Sequence, residues 1–206
     1  MPKPIKSHIK LILAKNNRSK KILEAINYGW NARDLHPDSG IWRRKSTRAH
    51  VIWEATVQKA IELFADDKGA KVFHHFDTVS FVFDDTVFMR FKKADISLRS
   101  RNIRTALADM FHEHESDLFG FEGHQRVEAC YVLNPLETEI SWAGIVAREK
   151  KTHLWHFSFD EVTEVAQGEI LEFKGKPKVS VADLATVKKD KTIKKKDDTP
   201  NAKEGE

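Results

Sequence analysis

One stretch constrains the fold more than any other: residues 79–93, VSFVFDDTVFMRFKK. Val79, Phe81 and Phe83 alternate with Ser80 and Val82, and beyond an acidic turn Val87, Met89 and Phe91 alternate with Phe88, Arg90 and Lys92. Period-two alternation on both sides of a turn is the pattern of two half-buried strands. A two-residue loop would set Phe81 opposite Phe88, whereas a three-residue loop at Asp84-Asp85-Thr86 pairs Phe83 with Val87, Phe81 with Met89 and Val79 with Phe91. Only the second register puts all six large apolar residues on one face, because a slip of one residue turns every side chain over. The opposite face then carries Arg90 and Lys92 with Phe88 beside them, and Lys93 at the strand end, as an exposed basic surface.

Elements of both kinds flank this hairpin. Ile22, Leu23, Ile26 and Trp30 have helical spacing after a capping Ser19, and the run HPDSG at 36–40 ends that helix. Ser46 or Thr47 is expected to cap a second helix, in which Trp53, Val57, Ala60, Ile61 and Phe64 form one stripe and Gly69 marks the stop. Residues 72–76 read as a strand leading into the hairpin, and Asn102 as the cap of a short helix with Ile103, Leu107, Met110 and Phe111 on one side. Three more alternating runs follow: Val127 to Leu133, then Ile140, Trp142 and Val146, then Trp155, Phe157 and Phe159. Turns as short as those between them favour an antiparallel meander. The expected fold is therefore α+β, with an antiparallel sheet of about five strands (the hairpin plus a three-stranded meander) and about three helices on its apolar face. Residues 1–18 read as a basic N-terminal segment, 19–173 as a single domain, and 174–206 as a disordered Lys-rich tail without aromatic residues.

Charge is distributed in blocks. Residues 1–50 carry 12 Lys and Arg against 3 Asp and Glu, 51–173 carry 13 against 22, and 174–206 carry 10 against 6. Basic ends around an acidic body suit a nucleic acid or acidic protein partner, and equally suit ends that fold back on the body. The single cysteine, Cys130, excludes an internal disulfide framework and a cysteine-based metal cluster. With no apolar run long enough to span a bilayer, the expectation is a cytoplasmic protein with no membrane association.

Chemistry is harder to place. Histidines recur at His74-His75, His112, His114, His124, His153 and His156, but no HExxH spacing puts two imidazoles on one helix face. A metal-dependent nuclease needs acidic residues on adjacent strands and a lysine two positions after one of them, and the candidates are Glu139, Glu149 and Lys151. No nucleophile elbow or phosphate-cradling glycine loop is present, so no cofactor is expected. The basic surface is the better lead: Arg90, Lys92 and Lys93, followed by Arg99, Arg101 and Arg104, could gather phosphate-directed side chains around one concavity, with Phe88 stacking a base. The competing reading packs Phe88 under a helix and pairs the basic residues with Glu113, Glu115 or Glu128. Arg43, Arg44, Lys45 and Arg48 form a second basic group.

The stretches FMRFKKAD (88–95), SRNIRT (100–105), YVLNPLETEI (131–140) and WHF (155–157) resemble a family of small uncharacterised bacterial proteins. In that family an F/V-x-R-F/V-K-K strand precedes an N-I-P-T-like helix start, a G-Y-V-L/P-D-like strand and a closing aromatic strand. The resemblance covers about residues 72–160; here Arg104 stands in place of the proline, Ala129-Cys130 in place of the glycine and Asn134 in place of the aspartate. It implies a companion of regulator genes of the helix-turn-helix plus metallopeptidase kind, on mobile or defence-related DNA. Together these observations lead to a non-enzymatic accessory protein that binds a partner protein or nucleic acid, as in a toxin–antitoxin or phage-defence pair. The alternatives are a divergent metal-dependent nuclease or toxin, and a structural subunit docking through its basic ends.

Overall fold

The computed structural model describes residues 3–100, 105–114, 120 and 123–162. The expected tail at 174–206, and the end of the domain from 163, lie outside the described residues. The elements run α1 (Lys6–Ala14), α2 (Arg18–Leu35), α3 (Lys45–Phe64), β1 (Ala70–His75), β2 (Thr78–Phe83), β3 (Val87–Ala94), α4 (Ala106–Glu113), β4 (Gln125–Leu133), β5 (Ile140–Glu149) and β6 (Thr152–Ser158).

The hairpin has the register its alternation demands. Phe81 pairs with Met89 and Phe83 with Val87. Asp84 and Asp85 both take the left-handed conformation (φ 49°), which aspartate tolerates better than most residues, and the Thr86 amide closes the turn by donating to the Phe83 carbonyl at 3.0 Å. Around it the sheet is larger than expected: six strands in the order β1-β2-β3-β4-β5-β6, the run at 72–76 having become the edge strand β1. The all-antiparallel expectation also fails at one place, since β3 and β4 are parallel, Arg90 lying beside Glu128 and Lys92 beside Cys130. The cause is the long connection from Ala94 to Gln125, which carries α4 and brings the chain back to the end of the sheet where β3 began; parallel neighbours need such a crossover.

That crossover also divides the helices. The main core lies between one face of the sheet and the first three helices: Phe81, Phe83, Met89, Val127, Ile145 and Phe157 meet Ile22, Ile26, Ile52, Val57 and Phe64. Burial of this many large side chains, each contributing about 1.5–3 kcal/mol, makes this layer the main source of stability. α1, drawn from the basic N-terminal segment, adds Ile9, Ile12 and Leu13 to it. α2 and α3 cross closely at Gly29, where a Cβ would come within 2.5 Å of the Ile52 carbonyl oxygen. α4 lies on the other face, with Phe111 against Phe88 and Val82, so the expectation of all helices on one side is corrected. Thr105, not Asn102, caps it, its Oγ1 accepting from the Ala108 amide at 3.1 Å; Asn102 and Ile103 lie outside the described residues. Nor do Ser46 and Thr47 cap α3: they lie within its first turn, and the helix follows Arg44.

A buried ionic clasp ties the ends of these elements together. Arg18, at the start of α2, donates from Nε to Asp67 (2.7 Å) and from Nη2 to Asp67 (3.0 Å) and Asp84 (2.8 Å). It thereby joins α2 to the α3–β1 connection and to the hairpin turn. No helix among the described residues is long and apolar enough to cross a membrane.

Candidate functional site

The hairpin residues read as an exposed basic surface are not exposed. Phe88 is fully buried, Arg90 is only 6% accessible and Lys92 is half-buried, because α4 folds over this face. The Phe88 ring lies 6.1 Å from that of Phe111, as the reading that packed Phe88 under a helix required. Arg90 donates from Nε to Ser80 Oγ at 3.0 Å, and its guanidinium sits 4.6 Å from the Phe111 ring and 5.6 Å from the Phe88 ring. Burial lowers the Arg90 pKa to about 10 and lowers that of Lys92.

Next to them, Glu128 is the centre of a buried polar network. Its carboxylate accepts from Ser100 Oγ at 2.9 Å and from Arg148 Nη2 at 2.9 Å. The same Arg148 nitrogen reaches Ser100 Oγ (2.6 Å) and His112 Nε2 (2.9 Å). Burial, and then the neighbouring Arg148, push the His112 imidazole down to about 3, so it is neutral and accepts from arginine. Arg126, one register step away, donates to the Met110 carbonyl of α4 at 2.8 Å. Cys130 is buried in this layer, and burial raises its thiol well above the ordinary value, which makes it a packing residue and not a nucleophile.

Lys93, on the opposite side of β3 from Lys92, belongs to a different place. It meets Lys45 at the Glu137 carboxylate, each at 3.2 Å. A shallow open cleft lies there, lined by Trp30, Arg33, Lys45, Arg48, Lys93 and Glu137 among others. The Arg33 guanidinium stacks 3.7 Å from the Trp30 ring and also pairs with Asp34 at 2.8 Å. α3 begins here with no side-chain cap and no acidic residue in its first turn, while Arg43, Arg44 and Lys45 are exposed. Positive side chains at the positive end of a helix dipole are unfavourable unless an anionic group approaches. Exposed apolar residues occur in the segments that lead to this end: Leu35 and Ile41 precede α3 in the chain, Leu136 is next to Glu137 and Ile96 follows Lys93 by three residues, each between 74% and 86% exposed.

The structure thus gathers Lys93, Lys45 and Arg48, and separates them from Arg90 and Lys92. Arg99 is exposed on the loop after β3, its carbonyl accepting from the Asp95 amide at 3.0 Å; Arg101 and Arg104 lie outside the described residues. Trp30, Arg33, Glu137, Ser100 and Arg148 did not stand out as site residues in the sequence, whereas Glu128 was read there as a partner for basic residues and His112 only as a histidine without metal-ligand spacing. The strand period did carry one signal, since alternation alone sends Lys92 and Lys93 to opposite faces.

The nuclease residues are not assembled. Glu139 precedes β5 and Glu149 ends it, so a strand rise of about 3.3 Å per residue separates them by about 30 Å, too far to share a metal ion. Glu149 pairs with Lys3 at 2.8 Å, and Lys151 is exposed in the β5–β6 turn. No group of three metal-ligating side chains occurs among the described residues. Comparison with protein-family models, curated proteins and solved structures gives no match to this chain.

Proposed function

We propose that the chain is a non-enzymatic docking protein that binds an acidic partner protein through the cleft end of its sheet. The observation that carries this reading is the basic start of α3, with Arg43, Arg44 and Lys45 exposed and Lys45 paired to Glu137, together with exposed aliphatic residues in the adjoining segments, Leu35 and Ile41 before α3, Leu136 beside Glu137 and Ile96 after β3. Exposed aliphatic residues beside arginines suit a protein surface, where apolar contact contributes affinity and charge directs approach. A nucleic acid would answer the arginines but offer little to four aliphatic side chains, and Glu137 between two lysines would repel its phosphates. The resemblance to companions of regulator genes supports a partner of the kind found in toxin–antitoxin or phage-defence pairs.

Purification from the native host tests this. The chain should bring down one protein at constant stoichiometry, and Arg44→Glu with Arg48→Glu should release it while leaving the fold intact. Recovery of nucleic acid instead, with affinity falling by a log–log slope of about −0.9 per phosphate contacted on duplex DNA, would replace the protein reading with a nucleic-acid one. Undiminished protein binding by the charge-reversed variant would refute the cleft end as the docking site.

A further inference from the structure

The face under α4 has more positive charge than its described acidic residues neutralise. Arg90, Lys92 and Arg148 share it with one carboxylate, Glu128, whose described hydrogen bonds come from Ser100 and Arg148. Arg90 is more than nine-tenths buried, its Nε is taken by Ser80, and its Nη2 is buried without a hydrogen-bond partner. The Phe111 and Phe88 rings attract the guanidinium charge, yet leave that N–H without an oxygen acceptor. Lys92 lies two residues further along the same face, half-buried, and no described residue accepts from its ammonium. Buried cations held without a counter-charge are costly, and either deprotonation or a bound anion relieves that cost.

Spacing favours the anion. Positions i and i+2 of a strand lie about 7 Å apart. One tetrahedral oxyanion can present an oxygen to a cation on each side at charge-assisted hydrogen-bond lengths of about 2.8 Å. Lys92, the more accessible of the two, marks the side of approach. We propose that this face holds a small phosphate-like oxyanion, either free phosphate or the terminal phosphate of a monoester, between the Arg90 guanidinium and the Lys92 ammonium. The site is on the opposite face of β3 from the docking cleft and does not depend on it.

Inorganic phosphate is the probe, added to the full chain prepared without phosphate or sulfate, with sodium chloride at matched ionic strength as the control. A saturable rise in Tm and one phosphate per chain by titration calorimetry are expected. Lys92→Met, which keeps the aliphatic stem, should still unfold cooperatively and bind phosphate at least tenfold more weakly. Arg90→Lys should also weaken binding, because a lysine cannot replace the Nη2 donor in the same geometry. Lys20→Met, on an exposed position of α2, should leave the titration unchanged. Glycerol phosphate separates the two sources: saturation by both ligands supports a site for terminal phosphate groups, and saturation by inorganic phosphate alone supports one for the free ion. A phosphate response no larger than that to chloride, or Lys92→Met binding phosphate as tightly as the natural chain, would overturn the proposal.

Discussion

The two faces of the sheet are made from alternate residues of the same strands, yet they are closed by opposite means. On one, Phe81, Met89, Val127, Ile145 and Phe157 meet three helices and exclude water with little polar content. On the other, Phe88, Arg90 and Glu128 are buried on the side covered by α4, with Lys92 and Arg148 half-buried beside them, and hydrogen bonds tie Glu128 to Arg148 and Arg90 Nε to Ser80. Burial alone therefore does not mark a core. The first face stabilises by area removed from water, and the second is held to a particular arrangement by partners that cannot be lost singly.

Substitutions can break this contrast in a graded way. Phe81→Ala empties a site in the apolar layer and should cost about 3–5 kcal/mol, read as a lowered denaturant midpoint at unchanged m. Glu128→Gln tests the polar face: it leaves Arg148 without its carboxylate and should cost about 3 kcal/mol. A loss below 0.5 kcal/mol there would mean that the network is solvated and that the two faces do not differ as described.

Acid should separate the faces without mutation. His112 has a folded pKa of about 3 against an ordinary 6.5, so the folded chain refuses a proton that the unfolded chain accepts. Its neutral form thus supports the fold fully above pH 6.5, and stability falls as the pH drops from 6.5 toward 3. His112→Asn should flatten that part of the pH–stability curve. In the Arg18 clasp, Asp67 is held down to about 2 by its hydrogen bonds from Arg18, so its contribution is lost only as the pH falls from 3.8 toward 2. Loss of the clasp before the His112 contribution would reverse this order and contradict the assignment.

The smallest effect belongs at the docking end. Arg43→Ala with Arg44→Ala should change stability by no more than about 0.5 kcal/mol, since both side chains are exposed, and any effect should appear in partner binding. A larger loss of stability would make these arginines structural.

Much of this architecture was legible in the residues. The hairpin register followed from six apolar side chains sharing one face, and the later strands from the alternation of Val127 to Leu133 and of Trp155 and Phe157. α1 was not, because Ile9, Ile12 and Leu13 make a short apolar patch among lysines, too brief to show a period. Arg90 was misplaced for a different reason: a charged residue opposite an apolar face normally points to water, and only a distant helix removes it. Half of the basic residues proposed for one surface belong to two places, because Lys92 and Lys93 leave β3 on opposite sides.

Local chemistry by itself determined which residues alternate, where the chain turns and which strand pair is joined by a short loop, since those depend on neighbours a few positions apart. The tertiary structure alone decided the parallel pairing of β3 with β4, the side on which α4 lies, and the meeting of Lys45 with Lys93 at Glu137. These rest on contacts between residues tens of positions apart, whose free energy comes from surfaces that meet only when the whole layer has assembled.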